Sequence, residues 1–166
     1  TAVLNDSKYG VHVDGTNVSL SLLRAPNSPD PEADRGHHEF QYSVYPHEGD
    51  LREGGVVEAG YNLNTPVHTM PVETPVSYEP LELDTDGVVV ESIKQSEDHD
   101  DALVIRLYEA YGRTTAAELA FDFPVASAAE TNLIEDHEQD LEIGKDNSLA
   151  LQLEPFDIRT LLVKLD

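Results

Sequence analysis

The sequence contains no cysteine, no tryptophan, one methionine and only 10 lysine and arginine residues among 166. Without cysteine the chain cannot form disulfides, thiolate metal sites or a cysteine nucleophile, and it fits a reducing compartment. The 33 Asp and Glu residues give a formal net charge of −23. A field of this sign repels phosphate backbones and anionic lipid heads, so we expect neither nucleic acid nor a membrane surface as a partner.

Long apolar runs are also missing, because no stretch approaches the roughly 18 consecutive apolar residues of a membrane helix. The N-terminal residues lack the basic and apolar regions of a signal peptide. We therefore predict a soluble protein. The sequence begins at Thr1, and the apolar residues Val3 and Leu4 follow closely, as if it began within an apolar segment. We therefore expect a fragment of a longer protein.

The hydrophobic fraction of 39% is nevertheless enough for a core. Residues 11–23 alternate as in a half-buried strand pair, with a turn at Asp14-Gly15, and predict a hairpin. Residues 25–36 are rich in proline and predict an ordered loop, followed by a strand over 40–44. Asp50 is a plausible N-cap for one short helix near 50–60, although glycines weaken that pattern.

The second half of the chain shows short apolar or alternating runs separated by turn residues. Five or more such strands predict a sandwich. Prolines between residues 64 and 80 indicate an extended connector, and we place a boundary near residue 75. The predicted fold is all-β: an antiparallel β-sandwich over 76–166, with a smaller N-terminal β portion over 1–75.

Three histidines form the densest group of metal-ligand types: His37, His38 and His47, with Asp34 and Glu39 nearby. Zn²⁺ accepts such ligands. Adjacent residues on a strand point to opposite faces, so His37 and His38 cannot share one ion on a regular strand. We therefore predict structural roles and no metal site in this chain.

Acidic side chains allow two further hypotheses. The acidic runs at 97–101 and 135–138 offer oxygen ligands for Ca²⁺ but lack EF-hand spacing, and we interpret them as solvated loops. A carboxylate pair is what glycoside hydrolysis requires, but 33 acids leave the choice of pair open. The nucleophile elbow and the phosphate-binding and dinucleotide-binding glycine motifs are missing.

Several blocks, in order along the chain, resemble the C-terminal β region of glycoside hydrolase family 38 α-mannosidases of the bacterial and cytosolic branch. These blocks are NDSKYG at 5–10, LSLLRAP at 20–26, PDPEAD at 29–34, HEFQY at 38–42, YPHEG at 45–49, EAGYNLNTP at 58–66, RLYE at 106–109 and PFDIRTL at 155–161.

The resemblance implies a cytoplasmic parent enzyme with an N-terminal catalytic domain, a helical bundle and β domains to which this chain corresponds. In the family, a zinc ion held by two Asp and two His contacts the mannose, and the mechanism is retaining. No position here matches those catalytic motifs, so we assign no catalytic residue and expect this chain alone to be inactive. Its expected partners are the catalytic and helical domains of the parent, with an α-mannoside as substrate of the whole, and a homo-oligomer is left open.

One loop motif carries over by resemblance. Related enzymes place an Asp-Arg-Gly turn near the cleft, and Asp34-Arg35-Gly36 resembles it; with His38 these residues are our substrate-cleft candidates. A guanidinium there can orient a loop or meet sugar hydroxyls. The simpler alternative is that Arg35 anchors the loop by pairing with Asp34 or Glu32, and that His38 makes a hydrogen bond that holds it.

Two rival functions remain open. A carbohydrate-binding module would present aromatic rings to sugars, and the candidate rings are Tyr42, Tyr45, Tyr61 and Tyr78. A plain structural β-domain would expose no apolar patch that needs a partner. A domain of a larger enzyme predicts exposed apolar surface around residues 1–70.

Overall fold

The computed structural model describes residues 1–166, which form two units, Thr1–Pro71 and Val72–Asp166. The first unit contains four strands and one helix: β1 (Ala2–Asn5), β2 (Val11–Asp14), β3 (Asn17–Leu20), β4 (Tyr42–Tyr45) and α1 (Val56–Asn64). The second contains eight strands: β5 (Leu81–Leu83), β6 (Val88–Gln95), β7 (Ala102–Glu109), β8 (Thr115–Phe121), β9 (Val125–Thr131), β10 (His137–Leu141), β11 (Ser148–Leu153) and β12 (Ile158–Leu165).

The strands of the first unit form two separate two-stranded ribbons. Strands β2 and β3 make the predicted hairpin, whose turn contains Gly15 at a φ of 57°, a left-handed value that suits glycine. Strands β1 and β4 pair antiparallel, although 36 residues separate Asn5 from Tyr42 in sequence. Neither ribbon belongs to a larger sheet.

The helix lies later in the chain than its predicted N-cap. Asp50 Oδ1 accepts hydrogen bonds of 2.9 Å from the backbone N–H groups of Arg52 and Glu53, so it caps a series of turns over 51–55. Gly55 has a φ of 60°, which interrupts the helical conformation before α1 begins at Val56. The nine-residue α1 contacts β1 and is too short and insufficiently apolar to cross a membrane.

The second unit is the predicted antiparallel β-sandwich. Its sheets have the strand orders β10-β9-β12-β7-β6 and β11-β8-β5. Strand β8 shows the packing, since Thr115, Ala117, Leu119 and Phe121 are buried and residues between them are more exposed. The core draws side chains from both sheets, and Ile105, Leu119 and Leu161 are fully buried. The two sheets therefore cover each other's apolar faces.

Arg159 connects strands at one end of this sandwich. From β12 it donates hydrogen bonds of 2.7 Å to both carboxylate oxygens of Glu130 in β9, and another of 2.7 Å to Asp157. A longer contact of 3.5 Å reaches the carbonyl of Gln152 in the other sheet. Partial burial opposes the charged form, but the bonds to Asp157 and Glu130 outweigh it and raise the pKa of Arg159. Arg159 thus ties β9 to the start of β12 within the five-stranded sheet.

Candidate functional site

The predicted cleft residues lie on the loop between β3 and β4, and this loop is held by its own hydrogen bonds. Asp34 Oδ2 accepts a hydrogen bond of 2.6 Å from the backbone N–H of Ala25, which joins the two ends of the proline-rich segment. His38 Nε2 lies 2.8 Å from the backbone carbonyl of Asp34. Asp34 and His38 are therefore in direct contact, with Arg35 next to Asp34 in the chain.

Arg35 forms an ion pair with Glu32, and its backbone N–H also donates to the carbonyl of Glu32 at 3.0 Å. The side chain of Arg35 is nevertheless 73% exposed, and His38 is also exposed, while Asp34 is half-buried. Such an exposed pair contributes little to stability and leaves the guanidinium accessible. The geometry fits the anchoring role, and it leaves two nitrogens of the fork available to other acceptors.

The three histidines are not arranged as a metal centre. His47 stacks on Tyr45, with ring centroids 5.9 Å apart, and its Nδ1 lies 3.1 Å from the carbonyl of Glu48. His38 instead contacts Asp34, and no group of three or more His, Asp or Glu side chains is arranged to hold a metal ion. The residues of this chain therefore do not fit a zinc ion.

The candidate tyrosines are divided between the units. Tyr42 is 57% exposed on β4, whereas Tyr45 on the same strand and Tyr61 in α1 are half-buried. Tyr78 is 60% exposed and lies in the second unit, at a cavity of about 370 Å³. That cavity is also lined by Ser77, Glu79, Glu82, Ala120, Phe121 and Asp122. An exposed ring beside carboxylate acceptors can in principle meet a polyhydroxylated ligand.

The first unit exposes apolar side chains instead of burying them. Val13 and Val44 are each 62% exposed, Val11 is 54% exposed and Val18 is 53% exposed. A cavity of about 270 Å³ opens between the two ribbons and is lined by Val3, Val18, Leu20, Leu22, Tyr42 and Val44. All six lining residues are apolar or aromatic, which is typical of a surface that binds another apolar surface.

Two buried carboxylates in the second unit were not identified from sequence. Glu109 at the end of β7 is fully buried. Its carboxylate accepts backbone N–H bonds from Gly112 (2.6 Å), Tyr111 (2.9 Å), Phe156 (3.1 Å) and Arg113 (3.2 Å). Burial alone raises the pKa of Glu109, but these four donors outweigh burial and lower it. A Glu two residues before the Tyr111-Gly112 turn was the signal available in the sequence.

The second buried carboxylate belongs to Glu135, within an acidic run considered above for Ca²⁺. Lys94 Nζ lies 2.6 Å from its Oε1, and the Ser96 hydroxyl and the Glu97 N–H donate to its Oε2 at 2.8 and 2.9 Å. The bond from Lys94, followed by that from Glu97, lowers the pKa of Glu135 to about 2. This carboxylate is therefore engaged by protein donors.

These contacts carry the 132–136 segment across the five-stranded sheet. Glu135 follows β9 and Lys94 is in β6, with β12 and β7 between these two strands. Arg106 on β7 points away from the core and donates to the carbonyl of Leu133 at 3.3 Å. The segment thus contacts β7 and β6 as well as following β9.

Comparisons with known proteins find one family model in each of the two units. Residues 1–32 match the glycosyl hydrolases family 38 C-terminal domain, and residues 87–161 match the glycosyl hydrolases family 38 C-terminal beta sandwich domain. The chain is 41% identical to Alpha-mannosidase 2C1 of Mus musculus and of Homo sapiens over 99% of its length. It is 35% identical over 96% of its length to Alpha-mannosidase G of Dictyostelium discoideum. These alignments cover 15–16% of the relatives, so the chain spans about a sixth of their length.

Proposed function

We propose that this chain, which belongs to the C-terminal β region of glycoside hydrolase family 38, acts as part of a larger, cytoplasmic, zinc-dependent retaining α-mannosidase. The observation that carries the proposal is the 41% identity to two α-mannosidases along 99% of the chain. Identity along nearly all the chain is stronger support than a likeness confined to one motif. The substrate of the whole enzyme would be an α-mannoside.

The chemistry would take place in the catalytic domain of the parent. Hydrolysis with retention needs a carboxylate nucleophile and a general acid on opposite sides of the glycosidic bond, and a metal can orient the sugar hydroxyls. None of these roles is assigned to residues of this chain. No three of its His, Asp or Glu side chains are arranged to hold a metal ion. We therefore expect the 166-residue chain to be inactive by itself.

The contribution proposed for this chain is to support the catalytic domain and to bring one loop to the rim of the cleft. The loop is supported by the Asp34 bond to Ala25 and by the contact of His38 with the Asp34 carbonyl. Arg35 would present its exposed guanidinium to a sugar hydroxyl or to a carboxylate of the catalytic domain. In this proposal, residues 1–75 are the last part of the family's C-terminal β domain. Residues 76–166 form the β-sandwich that follows it.

The test compares α-mannosidase activity of the full reading frame with that of the 166-residue chain, using a chromogenic α-mannoside with and without Zn²⁺. We expect zinc-dependent activity only in the longer protein. Arg35→Ala in the longer protein should raise KM, while the matched variant Arg24→Ala, which removes another exposed arginine of the first unit, should not. Activity in the short chain, or none in either, would contradict the proposal.

A second candidate is a non-catalytic carbohydrate-binding module, which the cavity beside Tyr78 favours. Here Tyr78 would stack on a pyranose face, with Glu79 and Asp122 accepting hydroxyl hydrogens. Titration of the 166-residue chain with methyl α-mannoside would reveal this by chemical-shift changes that Tyr78→Ala abolishes. If mannoside causes no such changes, this candidate fails.

A further inference from the structure

We propose that the apolar face of the β2–β3 hairpin, together with the adjoining cavity, is the surface on which the parent chain preceding residue 1 packs an apolar segment. The inference rests on the proposed function, because it requires a larger parent protein. It adds the location of the interface and the apolar character of the segment that occupies it. The surface, named here the hairpin face, consists of Val11, Val13, Val18 and Leu20.

The register of the hairpin separates its two faces. Val11 pairs with Leu20 and Val13 with Val18, and directly paired residues of an antiparallel ribbon lie on the same face. The opposite face carries the polar pairs His12 with Ser19 and Asp14 with Asn17. A ribbon with this alternation normally has one face against a core and the other in water.

The second ribbon extends the same apolar surface. Val3 pairs with Val44, and both line the 270 Å³ cavity with Tyr42. Val18 and Leu20 of the hairpin face line the cavity from the other ribbon. The cavity is therefore continuous with the hairpin face, and its volume admits a large apolar side chain.

The first unit leaves this surface uncovered. No residue in Thr1–Pro71 is buried, and three of the four hairpin-face residues are more than half exposed. A two-stranded hairpin is marginally stable in water and needs further strands or a packed helix. The face thus has the sequence pattern of a buried surface but no partner within its own unit.

The occupant is best supplied by the parent chain. The matched relatives are about six times as long as this chain, and the matching family models describe C-terminal domains, so most of a parent would precede residue 1. A linked segment is present at high effective concentration. A second copy is disfavoured because each chain carries a net charge of −23.

The test uses Val18→Asp in the full reading frame, with Ser19→Asp as its matched control. Both place one negative charge on β3, but on opposite faces of the ribbon. We expect limited proteolysis within residues 1–71 to become about tenfold faster in full-length Val18→Asp, and to change less than about twofold in Ser19→Asp. In the 166-residue chain, both variants should stay within about twofold of the unmodified sequence.

If Val18→Asp prevents the full-length protein from accumulating, the isosteric Val18→Thr provides the same comparison with a smaller expected change, about threefold. Equal cleavage of the two aspartate variants in the full-length protein would overturn the proposal. Equal acceleration by Val18→Asp in the short chain would place the occupant within residues 1–166. A dimer of the short chain that Val18→Asp dissociates would identify a second copy as the occupant.

The outcomes also separate this inference from the proposed function. A full-length protein without α-mannosidase activity, but with the tenfold difference between Val18→Asp and Ser19→Asp, would overturn the function and support the interface. An active enzyme without that difference would support the function and overturn the interface.

Discussion

The two units contain similar alternating strands, but only the second converts alternation into a core. In β8, Leu119 is fully buried, whereas Val13 in β2 remains 62% exposed although its neighbours alternate in the same way. The difference lies in what covers each face. Two sheets close over one another in the sandwich, while each ribbon of the first unit has two strands and no sheet opposite it. Alternation defines a face, and the number of elements packed on it determines burial.

The same contrast applies to carboxylates. Glu109 and Glu135 are engaged by several donors within the sandwich. Asp34 in the first unit is partly exposed and accepts one backbone bond that joins the ends of a loop. Because burial strengthens electrostatic interactions, changes to the buried carboxylates should affect stability more than changes in the loop.

The largest expected difference comes from paired truncations in the 166-residue chain. Leu119→Ala should lower the free energy of unfolding of the sandwich by about 2–5 kcal/mol, because it removes a fully buried side chain and leaves a cavity. Val18→Ala should change it by less than about 0.5 kcal/mol, since that side chain is 53% exposed. Urea unfolding followed by circular dichroism measures both values. Equal losses would contradict the difference in burial between the two side chains.

Glu109→Gln should have the next largest effect, a loss of about 1–3 kcal/mol. The amide would place its NH₂ group against backbone N–H donors that now bind a carboxylate oxygen, and it would leave at least one donor unpaired. The control is Glu118→Gln, which makes the same chemical change on an exposed residue of β8. If the urea midpoints fall equally in both variants, the hydrogen bonds of Glu109 contribute no more to stability than an exposed carboxylate does.

The stability contributed by the Glu135 carboxylate should depend on pH, and this effect should be smaller than that of Glu109→Gln. Its pKa is about 2 in the folded protein and 4.5 when unperturbed, so its contribution is fully present above pH 4.5 and is lost as the pH falls toward 2. The stability difference between the unmodified chain and Glu135→Gln should therefore shrink over that interval. Urea midpoints from pH 7 to 2.5 measure it, with exposed Glu138→Gln as the control. A constant difference would exclude this linkage.

The smallest effect on stability is expected in the loop. Arg35→Ala should change the free energy of unfolding of the 166-residue chain by less than about 0.5 kcal/mol, because its ion pair with Glu32 is exposed and local. Thermal unfolding would measure the change, with Arg24→Ala as the control. A loss of about 2 kcal/mol or more would mean that Arg35 is a structural anchor of the first unit.

Sequence patterns identified the family and most of the fold. The family 38 resemblance and the antiparallel β-sandwich are both confirmed. The hairpin at Asp14-Gly15 was predictable because the turn and its alternating flanks are local features. The helix was predicted near 50–60 and observed at Val56–Asn64, because Asp50 caps a turn that Gly55 separates from the helix.

Long-range contacts were not predictable in this way. Nothing local to Glu135 indicates that it meets Lys94 across two strands, and nothing near Glu109 indicates a bond from Phe156. The pairing of β1 with β4 likewise depends on a loop that returns the chain after 36 residues. The position of Arg35, Asp34 and His38 relative to a substrate stays a prediction.

By itself, the sequence determined the charge of the molecule, its alternating faces, its turns and its family, since these depend on residue type and on neighbours in the chain. Only the tertiary structure decided which apolar faces are covered and which carboxylates are buried. Burial depends on elements that meet in space after distant segments pair. Val13 and Leu119 occupy similar patterns in the sequence, but an opposing sheet covers only Leu119.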